Sequence, residues 1–219
     1  MSASYERMNF ITSFGFSIRW RKQLLHSLPG NTSHLQVIDL LTGMGENWNS
    51  IKHKYPNCTI TALDFSEEML KHAHKTNDLK FRQRVQIKCA DILNNDLPSE
   101  QYDVVTCSFG LKTFTKPQII LLANEVKRIL KEGGHFSFVE VSEPNNLLLR
   151  SAYSFYLSKV IPILGKLFLG DPTEYKMLWK YTSAFKNAND AATIFSDAGL
   201  QVHKQSFFFG CATGFWGVK

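Results

Sequence analysis

From Leu35 to Val141 short apolar runs alternate with longer stretches whose apolar residues recur three and four positions apart. Runs at Leu35–Leu40, Thr59–Leu63, Val85–Cys89, Tyr102–Cys107 and Phe136–Val141 read as buried strands, and the stretches between them as amphipathic helices. One helix reaches about Tyr55, where Pro56-Asn57 stops it. A second opens at Ser66, with Glu67 and Glu68 in its first turn. A third spans Pro117 to Lys131 and meets Gly133-Gly134. Repeated strand–helix alternation predicts an α/β fold with a parallel sheet covered on both faces.

The flanks follow a different pattern. Ser4 to Leu28 reads as one or two helices broken at Ser13-Phe14-Gly15 and closed by Pro29-Gly30. Asn145 to Lys186 is helical and rich in aromatic residues, and an excursion of that length between strands is usually a lid or a substrate-binding insertion. Asn189–Ala198 then predicts a helix, and Leu200–Gln205 with Phe207–Trp216 a closing pair of strands. The 219 residues therefore form one expected domain, 1–219, with 1–30 as an N-terminal cap and 145–186 as a helical lid.

Candidate chemistry sits at the carboxyl ends of the strands, where open parallel sheets bind ligands. The first strand ends in Asp39 and runs into Thr42-Gly43-Met44-Gly45, a turn whose glycines allow close approach to a ligand. The second ends in Asp64-Phe65-Ser66, an acid placed to accept both hydroxyls of a ribose. Asp91 and Ser108 end the next two. No third glycine follows the Gly-x-Gly, because Asn47, Trp48 and Asn49 stand there, which disfavours a dinucleotide. There is no Gly-Lys-Ser/Thr loop for a triphosphate either. A nucleoside without phosphates fits, and S-adenosyl-L-methionine fits best. Asp39 then either meets the ligand's amino-acid end or orients the glycine turn.

Charge changes this picture only at the edges. The formal charge is +6, with residues 1–30 carrying +3, 31–143 carrying −1, 144–190 carrying +3 and 191–219 carrying +1. The excess lies outside the nucleoside-binding core. Without a basic cluster or a nucleic-acid module, it predicts no nucleic-acid partner and leaves an anionic membrane surface or plain solvent as its counterpart. The apolar stretch Ala152–Gly170 is interrupted by Lys159, Pro162, Gly165 and Lys166 and is not expected to span a membrane. A polar start at Met1–Asn9 predicts no secretory signal. Cys58, Cys89, Cys107 and Cys211 lack metal-ligand spacing. They predict buried free thiols in a reducing cytoplasm, with contact to a membrane only at its surface.

Several longer blocks carry a specific resemblance: Tyr5-Glu6-Arg7-Met8-Asn9, Trp20-Arg21, Leu63 to Leu70, Tyr102 to Thr106, Ser108-Phe109-Gly110-Leu111, Val126 to Gly134, and Gly170-Asp171 with Tyr175. On these the chain resembles the ubiquinone and menaquinone C-methyltransferases, over nearly its whole length. That resemblance implies a Rossmann-like class I fold with a mostly parallel seven-stranded sheet, S-adenosyl-L-methionine as cofactor and a lipophilic ring as acceptor. It implies Asp64 on the ribose, Asp91 and Ile92 beside the adenine, Ser108 near the sulfonium, and Gly43 and Gly45 in the first turn. A homodimer is compatible with the same reading.

The departures fall mainly at the acceptor. Met44 replaces the family's usual threonine, Lys112-Thr113 its Arg-Asn, and Lys180-Tyr181 its Glu-Ser. Methyl transfer to carbon on a hydroxylated ring needs the neighbouring hydroxyl to lose its proton, and a cation beside that oxygen helps. Lys112 is the candidate cation. Candidate proton acceptors are Asp171, Tyr153, Tyr175 and His203, the last on an expected edge strand. Cyclisation or another group transfer with the same cofactor, or cofactor binding without catalysis, are the competing readings.

Overall fold

The computed structural model describes residues 13–30, 33–164 and 173–219, with backbone alone at 173–177. Helix α1 (Phe16–His26) precedes the first strand. Then come β1 (Gln36–Leu40), α2 (Trp48–Lys54), β2 (Thr59–Asp64), α3 (Glu67–Thr76), β3 (Val85–Cys89) and β4 (Tyr102–Ser108). They are followed by α4 (Lys116–Ile129) and β5 (Leu130–Val141). The expected N-cap at Ser66 is present, its Oγ accepting from the Met69 N–H at 3.3 Å. After β5, α5 (Leu147–Phe155) runs through a π-helical turn at Tyr156–Val160, and α6 (Thr173–Phe185), α7 (Asn189–Asp197), β6 (Gln201–Phe207) and β7 (Ala212–Val218) complete the chain.

All seven strands form one sheet in the order β3-β2-β1-β4-β5-β7-β6. The first five are parallel, and β7 runs antiparallel to both its neighbours. β1 and β2 are buried at all positions after their first, as strands covered on both faces must be. The chain order reverses between β1 and β4, which leaves a crevice above their carboxyl ends. Behind it, Phe138 and Phe215 stack with centroids 5.2 Å apart while Phe195 meets Phe215 edge-on at 4.9 Å. Each such fully buried ring contributes roughly 1.5–3 kcal/mol.

Several boundaries differ from expectation, two of them for reasons visible in the fold. The third expected helix ends at Ile129 rather than Lys131, because Leu130 turns extended, is fully buried and pairs with Tyr102 of β4. The last strand begins at Ala212 rather than Phe207, because Phe208, Phe209 and Gly210 all adopt positive φ and reverse the chain. His203 stands on the edge strand as expected and stacks on Trp216 at 4.4 Å. Three of the four thiols are buried, whereas Cys89 is exposed at the end of β3.

Candidate active site

The turn after β1 is held by one buried carboxylate. Asp39 Oδ1 accepts from Thr106 Oγ1 at 2.7 Å and Asn47 Nδ2 at 2.9 Å, and Oδ2 accepts from Thr42 Oγ1 at 2.7 Å. Thr42 in turn accepts from Trp48 Nε1 at 2.8 Å. Burial raises the Asp39 pKa, and these three donors oppose the rise. These contacts orient the glycine turn and tie it to β4, and Asp39 is not among the residues lining the cavity. Gly45 has φ +86°, and a Cβ there would sit 2.8 Å from the Trp48 indole, so the second glycine answers to the turn's own packing.

Asp64 ties that turn to the tip of β2. Its Oδ2 accepts from the Gly43 N–H at 2.8 Å and its Oδ1 from the Ser66 N–H at 2.9 Å. Each oxygen keeps acceptor capacity on the cavity side. Gly43, Met44, Asp64, Phe65 and Ser108 all line a cavity of about 820 Å³ above the β1/β4 reversal, within the range of roughly 300–1,000 Å³ common for small-molecule sites. Its remaining wall is mostly apolar, built from α1 and from α5 with the turn after it: Phe16, Leu149, Tyr153, Leu157 and Ile161.

Lys112 lines the same cavity. Its Nζ donates to Glu140 Oε1 at 2.7 Å and to the Phe109 carbonyl at 3.0 Å. Glu140, on β5, is fully buried, and it also accepts from the backbone N–H groups of Lys112 at 3.1 Å and Val141 at 2.8 Å. The candidate cation is therefore fixed by a buried acid that the sequence reading did not single out. Period and polarity hide it, since one glutamate in an apolar strand has no motif of its own. Thr113 is turned back on its own loop, donating to the Gly110 carbonyl at 2.7 Å.

Arg21 is a second residue missed as a site group. It is buried, its guanidinium lies 4.8 Å above the Phe109 ring, and Glu46 stands at the salt-bridge limit of 4.0 Å. Among the described residues Arg21 Nε has no hydrogen-bond partner. Burial lowers its pKa, countered by Glu46 and Asp39. Arg21 also lines the cavity, where a guanidinium is suited to an anionic ligand group.

Other expected residues are placed differently. Asp91 is exposed, accepts from the Leu93 N–H at 2.9 Å and lies outside the cavity wall, while Ile92 is buried in the main core. Neither is among the residues that line the cavity. Tyr153 does line it, its hydroxyl donating to the Cys211 carbonyl at 3.4 Å. Burial pushes that phenol far up, which favours its protonated form. Asp171 lies outside the described residues, as does the Tyr175 side chain. Among the described residues no His, Cys, Asp and Glu group could hold a metal ion.

The model of the ubiE/COQ5 methyltransferase family matches residues 1–219. A demethylmenaquinone methyltransferase of Lactiplantibacillus plantarum is 33% identical over 223 aligned positions, covering 100% of this chain and 92% of that protein. One from Staphylococcus aureus is 30% identical, covering 100% of this chain and 90% of the relative. Among solved structures, a SAM-dependent methyltransferase from Aquifex aeolicus superposes with a TM-score of 0.62 at 16% identity, over 90% of this chain and 88% of that one. Phosphoethanolamine N-methyltransferase 2 of Haemonchus contortus, in complex with S-adenosyl-L-methionine, gives 0.65 at 12% identity over 92% and 52%. At those identities the structures bear on the fold alone.

Proposed function

The chain belongs to the ubiE/COQ5 methyltransferase family and is an S-adenosyl-L-methionine-dependent methyltransferase, and from that premise we propose that it methylates a ring carbon of a lipophilic, hydroxylated, quinone-type acceptor. The observation that carries this reading is the continuity of the cavity. The same cavity is lined by the polar glycine turn with Asp64, by the aromatic and aliphatic side chains of α1 and α5, and by Lys112, which Glu140 holds from beneath.

The residues present fit the cofactor. Asp64 retains acceptor capacity for two ribose hydroxyls beyond the N–H groups it already serves, and the underserved Arg21 guanidinium suits the carboxylate of the cofactor's amino-acid end. Gly43, Met44, Phe65 and Ser108 complete that end of the wall. When bound, the cofactor supplies an electrophilic methyl group on a sulfonium. The chain's own contribution is to hold the acceptor in line, exclude water and favour the acceptor's ionised form.

Lys112 does the last of these. Its ammonium has three N–H groups, two already directed at Glu140 and the Phe109 carbonyl, and the third is left for an acceptor oxygen. A single fixed N–H differs from the two-pronged donor of an arginine, and suits an acceptor bearing one oxygen next to the methylated carbon. Free thiols at all four cysteines suit a reducing cytoplasm.

The test is incubation of the purified chain with methyl-labelled cofactor and a set of hydroxylated aromatic acceptors, with and without apolar tails. The expected result is label on a ring carbon of a tailed quinol and little on its tailless analogue. Label appearing on nitrogen, or on soluble phenols at the same rate as on tailed ones, would overturn the reading.

A further inference from the structure

We propose that the outer face of α5 and its extension to residue 164, with Phe14 and the Phe208-Phe209 turn, docks on the surface of an anionic phospholipid bilayer. This goes beyond the reading of the reaction and does not depend on which acceptor is methylated.

The helix is apolar on two opposite faces. Leu149, Tyr153, Leu157 and Ile161 recur every four residues and turn inward, packing against β5, β7 and the Leu178-Trp179 side of α6. Leu147 at 75% exposure, Leu148 at 83%, Phe155 at 63% and Ile163 at 66% occupy the other face. The π-helical turn at Tyr156–Val160 contains one extra residue per turn, which brings Ile163 back into line with Phe155. A surface helix in water carries mainly polar residues outward, whereas this one bares Leu147, Leu148, Phe155 and Ile163 beside Ser151 and Lys159.

The patch continues around the mouth of the cavity. Phe14 and Phe208 line the cavity and are also 74% and 49% exposed, so they form its rim. Phe14 stacks on Tyr156 at 5.7 Å, and Phe208 contacts Phe16 at 4.7 Å. Phe209 is 80% exposed with φ 55°, following Phe208 at φ 42°. Two consecutive bulky residues in the left-handed region are strained, and here the strain points an aromatic ring into open space.

Charge identifies the occupant. Residues 13–30, 144–164 and 178–188 contain no Asp or Glu, while Arg19, Lys22, Lys159, Lys180 and Lys186 are exposed within them. A two-fold contact with a second copy would set those cations against one another. An anionic leaflet satisfies both halves of the pattern, apolar side chains inserted and cations at the headgroups. Leu147–Leu164 is long and apolar enough to cross a membrane by composition. Its inner face is nevertheless committed to the protein, which fits a helix lying in the interface rather than across it.

The experiment is sedimentation of the full chain with vesicles of phosphatidylcholine alone and of phosphatidylcholine mixed with phosphatidylglycerol, with cofactor affinity measured in parallel as a check on folding. The parent is expected to partition to the mixed vesicles and to be released by salt. The Leu148→Ser/Phe155→Ser double variant should partition at least about tenfold less, with cofactor affinity unchanged. Lys159→Gln and Lys180→Gln should each cost about fivefold, on anionic vesicles only. If the double variant loses cofactor affinity, Phe209→Asn decides the matter, since asparagine tolerates that φ and the variant should still partition several-fold less. A parent that binds neither vesicle overturns the proposal. So do variants that bind as the parent does, and a double variant that turns a dimer into a monomer while vesicle binding stays unchanged.

Discussion

Replacing Glu140 by glutamine removes one charge from the Lys112–Glu140 pair and keeps one acceptor oxygen, enough for the Val141 N–H but not also for the Lys112 N–H, which meets the other carboxylate oxygen. The Glu140 side chain is 0% exposed and that of Lys112 11% exposed, so the ammonium left behind has little water to turn to. Breaking a buried pair from one side costs about 3–5 kcal/mol. The residual opening of Lys112 toward the cavity and the surviving Phe109 carbonyl put this case near the low end, about 3 kcal/mol. For a chain of this length that is a fall in Tm of about 6–12 °C. Lys112→Met alone leaves a buried carboxylate and should cost a similar amount. The double variant should recover at least about 1 kcal/mol of the summed losses, because neither orphaned charge remains. Urea denaturation of all four proteins closes the cycle. Single losses that add to the double within about 0.5 kcal/mol would refute the idea that the two charges depend on each other. The same variants separate structure from chemistry: Lys112→Met is expected to lower kcat by at least about tenfold with cofactor affinity unchanged.

Arg21→Met keeps most of the apolar stem against Phe109 and removes the guanidinium. Equilibrium dialysis should show cofactor Kd rising about 10–30-fold, as for loss of a charged hydrogen bond, and an unchanged Kd would remove Arg21 from the cofactor site. Gly45→Ala forces a Cβ to within 2.8 Å of the Trp48 ring at φ +86°, so denaturation should show a loss of more than about 1 kcal/mol together with weakened cofactor binding. Tyr55 donates to the Pro29 carbonyl at 3.1 Å, and burial pushes its pKa up to about 12 from 10.0. The folded state therefore holds that proton where the unfolded state has lost it. The stability linked to Tyr55 is present below pH 10 and is lost as pH rises toward 12. Thermal melts should show the parent's advantage over Tyr55→Phe shrinking across that interval, and a constant difference would contradict the assignment.

Local pattern was enough to locate β1, β2 and β4, because each is a β-branched or apolar run ended by a turn residue, and the sheet's burial demands that composition. It was enough also for Gly43, Asp64 and Ser108, whose position at strand tips follows from chain order alone. Asp39 illustrates the limit. Sequence left it between ligand contact and turn support, and only the fold brings Thr42, Asn47 and Thr106 together on its carboxylate. Asp91 reads as the same kind of strand-end acid, and only the fold shows it exposed and bonded to its own turn through the Leu93 N–H.

What the sequence determined by itself was therefore the alternating α/β order, the glycine turn and its partner acid, and the identity of the cofactor they suit. These depend on residues close together in the chain. The tertiary structure decided which side chains meet across it: Glu140 beneath Lys112 from β5, Arg21 delivered from α1 over Phe109, and two apolar faces on one helix, one turned inward and one left bare. Such pairings depend on strand order and helix docking rather than on spacing, and a buried glutamate in an apolar strand is recognisable as functional only once its partner is in place.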